Sequence, residues 1–318
     1  MLNMEFGKPA TTVDEQIQIL RQRGMQIDDV DRARHYLQHI NYYRLTAYWL
    51  PFEEDYSTHQ FRSGARFEDA LNLYIFDREF RLLLLDAIER IEISVRTQWA
   101  YYLALTYGAH SYLEPTHAVR ADWHTQNLAA LREEVGRSKE LFIRHYSAKY
   151  STPAMPPVWS VCEVMSLGLL SRWITQLRPA DRKRIAAVYG LDQRTFQGFI
   201  RHLTYVRNLC AHHSRVWNRS LTVTMELPKK KPVRLLRHLH YQAKREIYNT
   251  LVMQAYFLDQ ISPRHHWRER LLALIDVHDV DPARMGFPDG WRLDLFWATA
   301  QGDWGGHSSG KPSGKEDT

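Results

Sequence analysis

Residues 66–108 read RFEDALNLYIFDREFRLLLLDAIERIEISVRTQWAYYLALTYG, about forty positions without a proline and with a glycine only at the end. Leu73, Phe76, Phe80, Leu84, Ala87, Ile91, Val95 and Trp99 recur at spacings of three and four, the period of one apolar helix face. Asp77/Arg81 and Glu92/Arg96 stand four apart, where opposite charges meet on a helix surface. The stretch predicts one or two long helices packed among others, and so an all-α chain.

The flanks agree. Upstream, KPATTVDEQIQILRQRG (8–24) predicts a helix with Thr12 as N-cap, Glu15 three residues on and Gly24 as the stop. DVDRARHYLQHINYYRLTAYWLPF (29–52) places Ala33, Tyr36, Leu37, Ile40 and Tyr43 on one face of a helix ended by Pro51, and residues 53–64 read as a polar turn. Downstream, shorter helices follow a connector rich in His and Pro (109–126), and STPAMPPVW (151–159) leads into a helix over VCEVMSLGLLSRWITQL (161–177). PADRKRIAAVYG (179–190) is a short helix, and DQRTFQGFIRHLTYVRNLCAHHSRVWN (192–218) another. SLTVTMEL (220–227) alternates Leu221, Val223, Met225 and Leu227 and is the one strand signal. A long helix is expected from Arg234 to just before Pro263, and a further one over RHHWRERLLALIDVH (264–278). The expected division is an N-terminal helical segment (1–60), a helical core (61–262), a C-terminal helix with an aromatic docking segment (263–302) and a disordered tail (303–318).

Bulk composition narrows the function classes. The 318 residues are 44% hydrophobic and 12% aromatic, ample for a packed core, and carry a formal charge of +6 in which Arg far outnumbers Lys. Arg suits bidentate recognition of phosphate or carboxylate, so the charge permits an anionic partner without requiring one. Two cysteines, Cys162 and Cys210, cannot form a disulfide framework or a four-cysteine zinc site, which points to a reducing compartment. The N-terminal stretch lacks the pattern of a signal peptide and no apolar run is long enough to span a bilayer, so a cytoplasmic location is expected. His35 and His39 have helical ligand spacing but no Glu between them; no metal or other cofactor is expected.

The chemistry concentrates in YVRNLCAHHSRVWNRS (205–220). Arg207, Asn208, His212, His213, Arg215, Asn218 and Arg219 crowd into a few turns that contain neither Glu nor Lys. RNA cleavage by attack of the 2′-hydroxyl needs a proton acceptor, a proton donor and positive charge on the phosphorane. A His can exchange the proton and an Arg can hold two phosphate oxygens. On an ideal helix Arg207 and His212 would diverge by about 140°, whereas Asn208 and His212 share a face. Either the helix loosens near Ala211, or the Arg side chain curls round, or two chains share the site. Arg34 and His39 repeat the spacing in an amphipathic helix and are read as structural. The same 207–212 residues could instead form a buried polar network that ties the helices together.

RNLCAHHSRVWNR (207–219) resembles the signature of the Abi family of abortive-infection proteins, the bacterial phage-defence group that includes the AbiD and AbiF types. INYYRLTAYWLPF (40–52), YIFDREFRLLLLDAIERIEISVRT (74–97), PPVWSVCEVMSLGLLSRW (156–173) and MGFPDGW (285–291) match the same pattern in order. The resemblance implies a HEPN-like helical bundle with additional terminal helices and at most a short strand or hairpin. It implies an endoribonuclease with an Arg-x4–6-His motif, here Arg207, Asn208 and His212, that cleaves without metal and leaves a 2′,3′-cyclic phosphate. A homodimer with facing motifs, and phage defence or toxin-like action, are implied with it. Some relatives associate with a small structured RNA, and the alternative reading is a non-catalytic protein that binds such an RNA.

His213 also satisfies the motif spacing; His212 is favoured because it shares the Asn208 face. Glu163, a lone carboxylate on an oily helix, could pair with Arg207 or Arg215 or be purely structural, and Arg215 is a further supporting residue. Glu89 and Glu92 read as ordinary helix ion pairs, and Cys210 as a packed hydrophobe. Lys229, Lys230, Lys231, Arg234 and Arg237, with Arg178, Arg182, Lys183 and Arg184, could bind RNA phosphates or simply be solvated.

Overall fold

In the computed structural model, which describes residue 7 and residues 9–297, Thr12 opens the first helix, α1 (Val13–Gln22). Its hydroxyl accepts the Glu15 amide and the Glu15 carboxylate accepts the Thr12 amide, so the predicted capping box is present. Gly24 stops the chain there with φ +92°. The next predicted helix is two. α2 (Val30–His39) ends where Ile40 becomes extended, and the Asn41 side chain accepts the Tyr43 amide to begin α3 (Tyr42–Trp49). That break turns the face. Ala33 and Leu37 are buried as expected, but Tyr43, expected on the same stripe, is 85% exposed.

Residues 53–64, read as a turn, form an antiparallel hairpin, β1 (Glu53–Asp55) with β2 (Gln60–Phe61). It is the only sheet among the described residues. The strand predicted at 220–227 is not one. Leu221, Met225 and Leu227 are buried as the alternation requires, but no strand lies beside them. The Leu221 amide bonds the Arg245 carbonyl, and the Val223 carbonyl meets the His202 ring.

The 66–108 stretch is a single helix, α4 (Phe67–Tyr107), of 41 residues, about 60 Å long at the standard rise. Glu68 and Asp69 in its first turn complement the helix dipole, and Gly108 ends it with φ +100°. All eight stripe residues from Leu73 to Trp99 are buried. The remaining helices pack around this axis: α5 (Ala121–Arg137), α6 (Leu141–Lys149), α7 (Val158–Val164), α8 (Leu167–Gln176), α9 (Pro179–Val188) and α10 (Gln193–Ala211), then a single turn, α11 (Val233–Leu236), and finally α12 (Tyr248–Ile261) and α13 (Trp267–Val277). The fold is all-α.

Two apolar clusters divide the interior. A small one joins α1, α2, α3 and the hairpin to the first turns of α4, from Ile17 to Leu71; a large one surrounds the rest of α4. Two more predicted helices are interrupted. Met165 turns extended and Ser166 caps anew, splitting α7 from α8. The helix expected from Arg234 keeps only α11 and α12, because the Asn249 amide bonds His240 and Ala243 backbone groups and ties off the segment between them. Phe287, Trp291, Phe296 and Trp297, in the segment after α13, are buried. The tail expected to be disordered lies outside the described residues. No helix among the described residues is long and apolar enough to cross a membrane.

α10 is held from both sides. Asp192 accepts the amides of Arg194 and Thr195 at its start. Gly198 lets the 220–227 segment lie against the helix, since a Cβ there would sit 3.3 Å from the Glu226 amide nitrogen. His202 bridges the Val223 carbonyl and the Thr250 hydroxyl, each at 2.7 Å. Burial pushes its imidazole down to about 4. The folded state therefore binds this proton less readily than the unfolded chain. The stability is present above pH ~6.5 and is lost as the pH falls towards 4. Acidification from pH 7 to 5 is expected to lower stability by about 2 kcal/mol through this group. Chemical unfolding of the protein and of His202→Gln at both pH values checks it; an equal pH dependence in the two proteins refutes the assignment.

Candidate functional site

The helix carrying the polar run stops earlier than predicted. α10 ends at Ala211, with His212 as its C-cap and His213 in the left-handed region at φ +56°. The Ser214 amide bonds the Leu209 carbonyl at 2.9 Å and the His213 amide bonds the Cys210 carbonyl at 3.1 Å. This pair of bonds is a Schellman ending, whose left-handed position is normally taken by Gly. Of the alternatives the spacing left open, loosening near Ala211 occurs. Both imidazoles lie exposed at the helix end.

The loop after it is fastened by side chains from the N-terminal half. The Arg44 guanidinium donates to the His213 carbonyl at 2.6 Å, and Arg81 donates to the Ser214 carbonyl at 3.4 Å. Asp77 of α4, with no exposed surface, accepts the Val216 and Trp217 amides on one oxygen at 3.0 and 2.7 Å. Its other oxygen accepts the Tyr48 hydroxyl at 2.6 Å and is ion-paired with Arg81. One carboxylate thus orders two amides, a phenol and a guanidinium. Burial, and then the Asp77 charge, hold the Tyr48 hydroxyl protonated well above its usual range. Burial likewise pushes the Cys210 thiol up to about 12, and the nearby Asp77 charge adds to it, so this cysteine is a packed apolar group. Burial lowers the half-buried Arg215, a guanidinium that stays charged in proteins.

Asp77 is the residue whose importance the sequence reading missed. Spacing makes it half of an i,i+4 pair with Arg81, and the pair exists. The overlooked signal is that position 77 lies on the buried stripe, between Leu73 and Phe80. Glu92 and Arg96 also pair as expected, and Arg96 further donates to the carbonyls of Cys162 and Glu163 at 2.8 and 2.7 Å, capping α7. Glu89 does not: it is exposed and has no ion pair among the described residues.

Arg207 and Asn208 are exposed, and their one mutual contact is long, 3.4 Å from Arg Nη1 to Asn Oδ1. The buried polar network considered for this motif is therefore absent around these residues and present one layer beneath, at Asp77. Arg207 lines an open groove of about 570 Å³ with Glu89, Glu163, Leu82 and Ile93 among its walls. His212 does not line it. Glu163 is exposed there and makes no ion pair with Arg207 or Arg215 among the described residues. Half-buried Arg219 donates to the Arg215 carbonyl at 3.3 Å. Elsewhere, Lys229, Lys230, Lys231, Arg234 and Arg237 are all exposed. Lys229 and Arg237 rim a shallow dish floored by Val233, Leu236 and Tyr241, and Arg234 lies over the Tyr256 ring. Arg182 is tied to the Thr175 carbonyl at 2.7 Å, a packing role.

The Schellman ending separates the two histidines. His213 is held in a conformation that costs a β-carbon-bearing residue about 1 kcal/mol relative to Gly. His213→Gly is expected to raise the melting temperature by about 1–2 °C. Thermal melts of the two proteins decide it; an unchanged or lowered melting temperature in His213→Gly refutes the strain.

A sequence model of the family described as Abi-like protein matches residues 35–218, more than half of the chain. The match runs from within α2 through α10 to the end of the fastened loop. No curated protein and no solved structure matches the chain significantly.

Proposed function

The chain belongs to the Abi-like protein family, a membership that suggests abortive infection against phage, and from that premise we propose that it is a metal-independent endoribonuclease of the HEPN type. The observation that carries the reading is the combination at the end of α10. His212, Arg207 and Asn208 remain solvent-exposed, while the loop behind them is fixed by a fully buried carboxylate. A packing motif would face inward; a reactive one needs an open face on a rigid support.

In this reading His212 takes the 2′-hydroxyl proton as the oxygen attacks phosphorus, Arg207 neutralises the phosphorane, and Asn208 orients the linkage. The 5′-oxygen leaves with a proton, and a 2′,3′-cyclic phosphate remains. Arg207 lines the groove and His212 does not, which supports a site shared between two copies, with the second copy's His212 protonating the leaving group. Leu82 and Ile93, 58% and 53% exposed on the wall of the Arg207 groove, offer an apolar seat for that copy.

The acidic side of the same groove favours a second reading. Glu89 and Glu163 beside Arg207 repel phosphate, which suits a non-catalytic RNA-binding protein whose contacts lie elsewhere, on Lys229–Lys231, Arg234 and Arg237. Incubating the purified protein with end-labelled RNA in EDTA separates the two. Fragments with cyclic-phosphate ends support the nuclease. Salt-sensitive binding without cleavage supports the alternative and overturns the nuclease.

A further inference from the structure

Tyr43 stands out once the α2–α3 break is recognised. It is 85% exposed, more than any other described Tyr, Phe or Trp, and neither its ring nor its hydroxyl has a partner among the described residues. Both neighbours are committed. Tyr42 packs edge-on against Trp49 at 5.0 Å and meets the Arg23 guanidinium at 3.2 Å, and Arg44 reaches the His213 carbonyl at 2.6 Å. The Tyr43 amide is held by the Asn41 cap at 2.8 Å. A rigid backbone thus presents a free aromatic ring in the residue next to the one that touches the motif loop. On α3, consecutive side chains diverge by about 100°, so with Arg44 turned to the loop, Tyr43 flanks it and faces solvent.

We propose that Tyr43 is a stacking platform for an unpaired nucleobase, one or two nucleotides from the linkage held at His212. The inference rests on the nuclease reading and adds a substrate class to it, single-stranded RNA. Bases in a duplex are already stacked and cannot reach a side-chain face, whereas a splayed base can. Every base has a π-face, so the platform tolerates sequence variation. Tyr has two side-chain torsions and loses little entropy when it engages. Arg44 on α3 and Arg215 on the adjoining loop supply charge for the flanking phosphates. Tyr56, the next most exposed aromatic residue at 66%, sits in the hairpin turn, where its neighbours Asp55 and Ser57 bond each other, and it has no corresponding role.

The test uses the full chain and a labelled single-stranded oligonucleotide carrying 2-aminopurine at successive positions. Tyr43→Ala is expected to raise KM about 5- to 150-fold, with the loss falling on KM rather than on kcat, and to abolish 2-aminopurine quenching at one position. Tyr43→Phe and Tyr43→Trp retain the ring and are expected to keep both properties. The side chain is 85% exposed, so the melting temperature should not move. Unchanged KM and quenching in Tyr43→Ala, with normal cleavage by the wild type, overturn this inference alone. A Phe variant as impaired as Ala would mean that the hydroxyl acts, and overturns stacking. A wild-type protein that neither binds nor cuts the oligonucleotide removes the nuclease reading and this inference together.

Discussion

His212→Ala is expected to slow RNA cleavage by about 10²–10⁴-fold and to leave the melting temperature where it is. The two halves of that expectation come from different facts. The rate loss follows from the proposed nuclease reading, in which the imidazole exchanges the 2′-hydroxyl proton. The unchanged stability follows from exposure: His212 caps α10 through its backbone amide, bonded to the Asn208 carbonyl at 3.0 Å, and its ring makes no hydrogen bond among the described residues. Single-turnover cleavage and a thermal melt on one preparation supply both numbers. Undiminished cleavage by a protein that melts several degrees lower would make the imidazole a structural group and remove it from the chemistry.

The largest stability effect is expected one layer down, at Asp77. Asp77→Ala leaves the Arg81 charge uncompensated in the interior and strands the Val216 and Trp217 amides and the Tyr48 hydroxyl. Breaking a buried pair by deleting one partner costs about 3–5 kcal/mol, which for a chain of this size lowers the melting temperature by roughly 5–10 °C. Cleavage should fall as well, because the loop that begins with His213 loses its anchor. Amide exchange at Val216 and Trp217 reports the loop separately from the global melt. A second change that removes the orphaned charge, Asp77→Ala with Arg81→Met, should recover part of the loss. Protected amides and an unaltered melt in the single variant would show that the network is dispensable.

Much of the architecture could be read from spacing, and the failures share a physical cause. The α4 stripe, the Thr12 capping box and the Gly24 stop depend on local chemistry and appear as expected. The misplaced boundaries depend on partners distant in sequence or on a competing side-chain bond. Asn41 and Ser166 start new helices inside continuous apolar patterns, and Asn249 unwinds a segment that has helical periodicity. The 220–227 alternation reflects burial against α10 without a strand to pair with. At the candidate site, residue types identified Arg207, Asn208 and the two histidines, and exposure agrees with an outward role. The Asp77 anchor was legible only as a carboxylate on the buried stripe, since the amides that donate to it lie about 140 residues downstream.

That separation has a consequence for synthesis. Asp77 leaves the ribosome well before the amides it will hold, about 140 residues later, and at 5–20 residues per second the interval is about 7–28 s. Throughout it the nascent chain carries a solvated carboxylate and no ordered loop. A product that stops before residue 217 lacks the amides that Asp77 holds and cannot order the loop that follows α10.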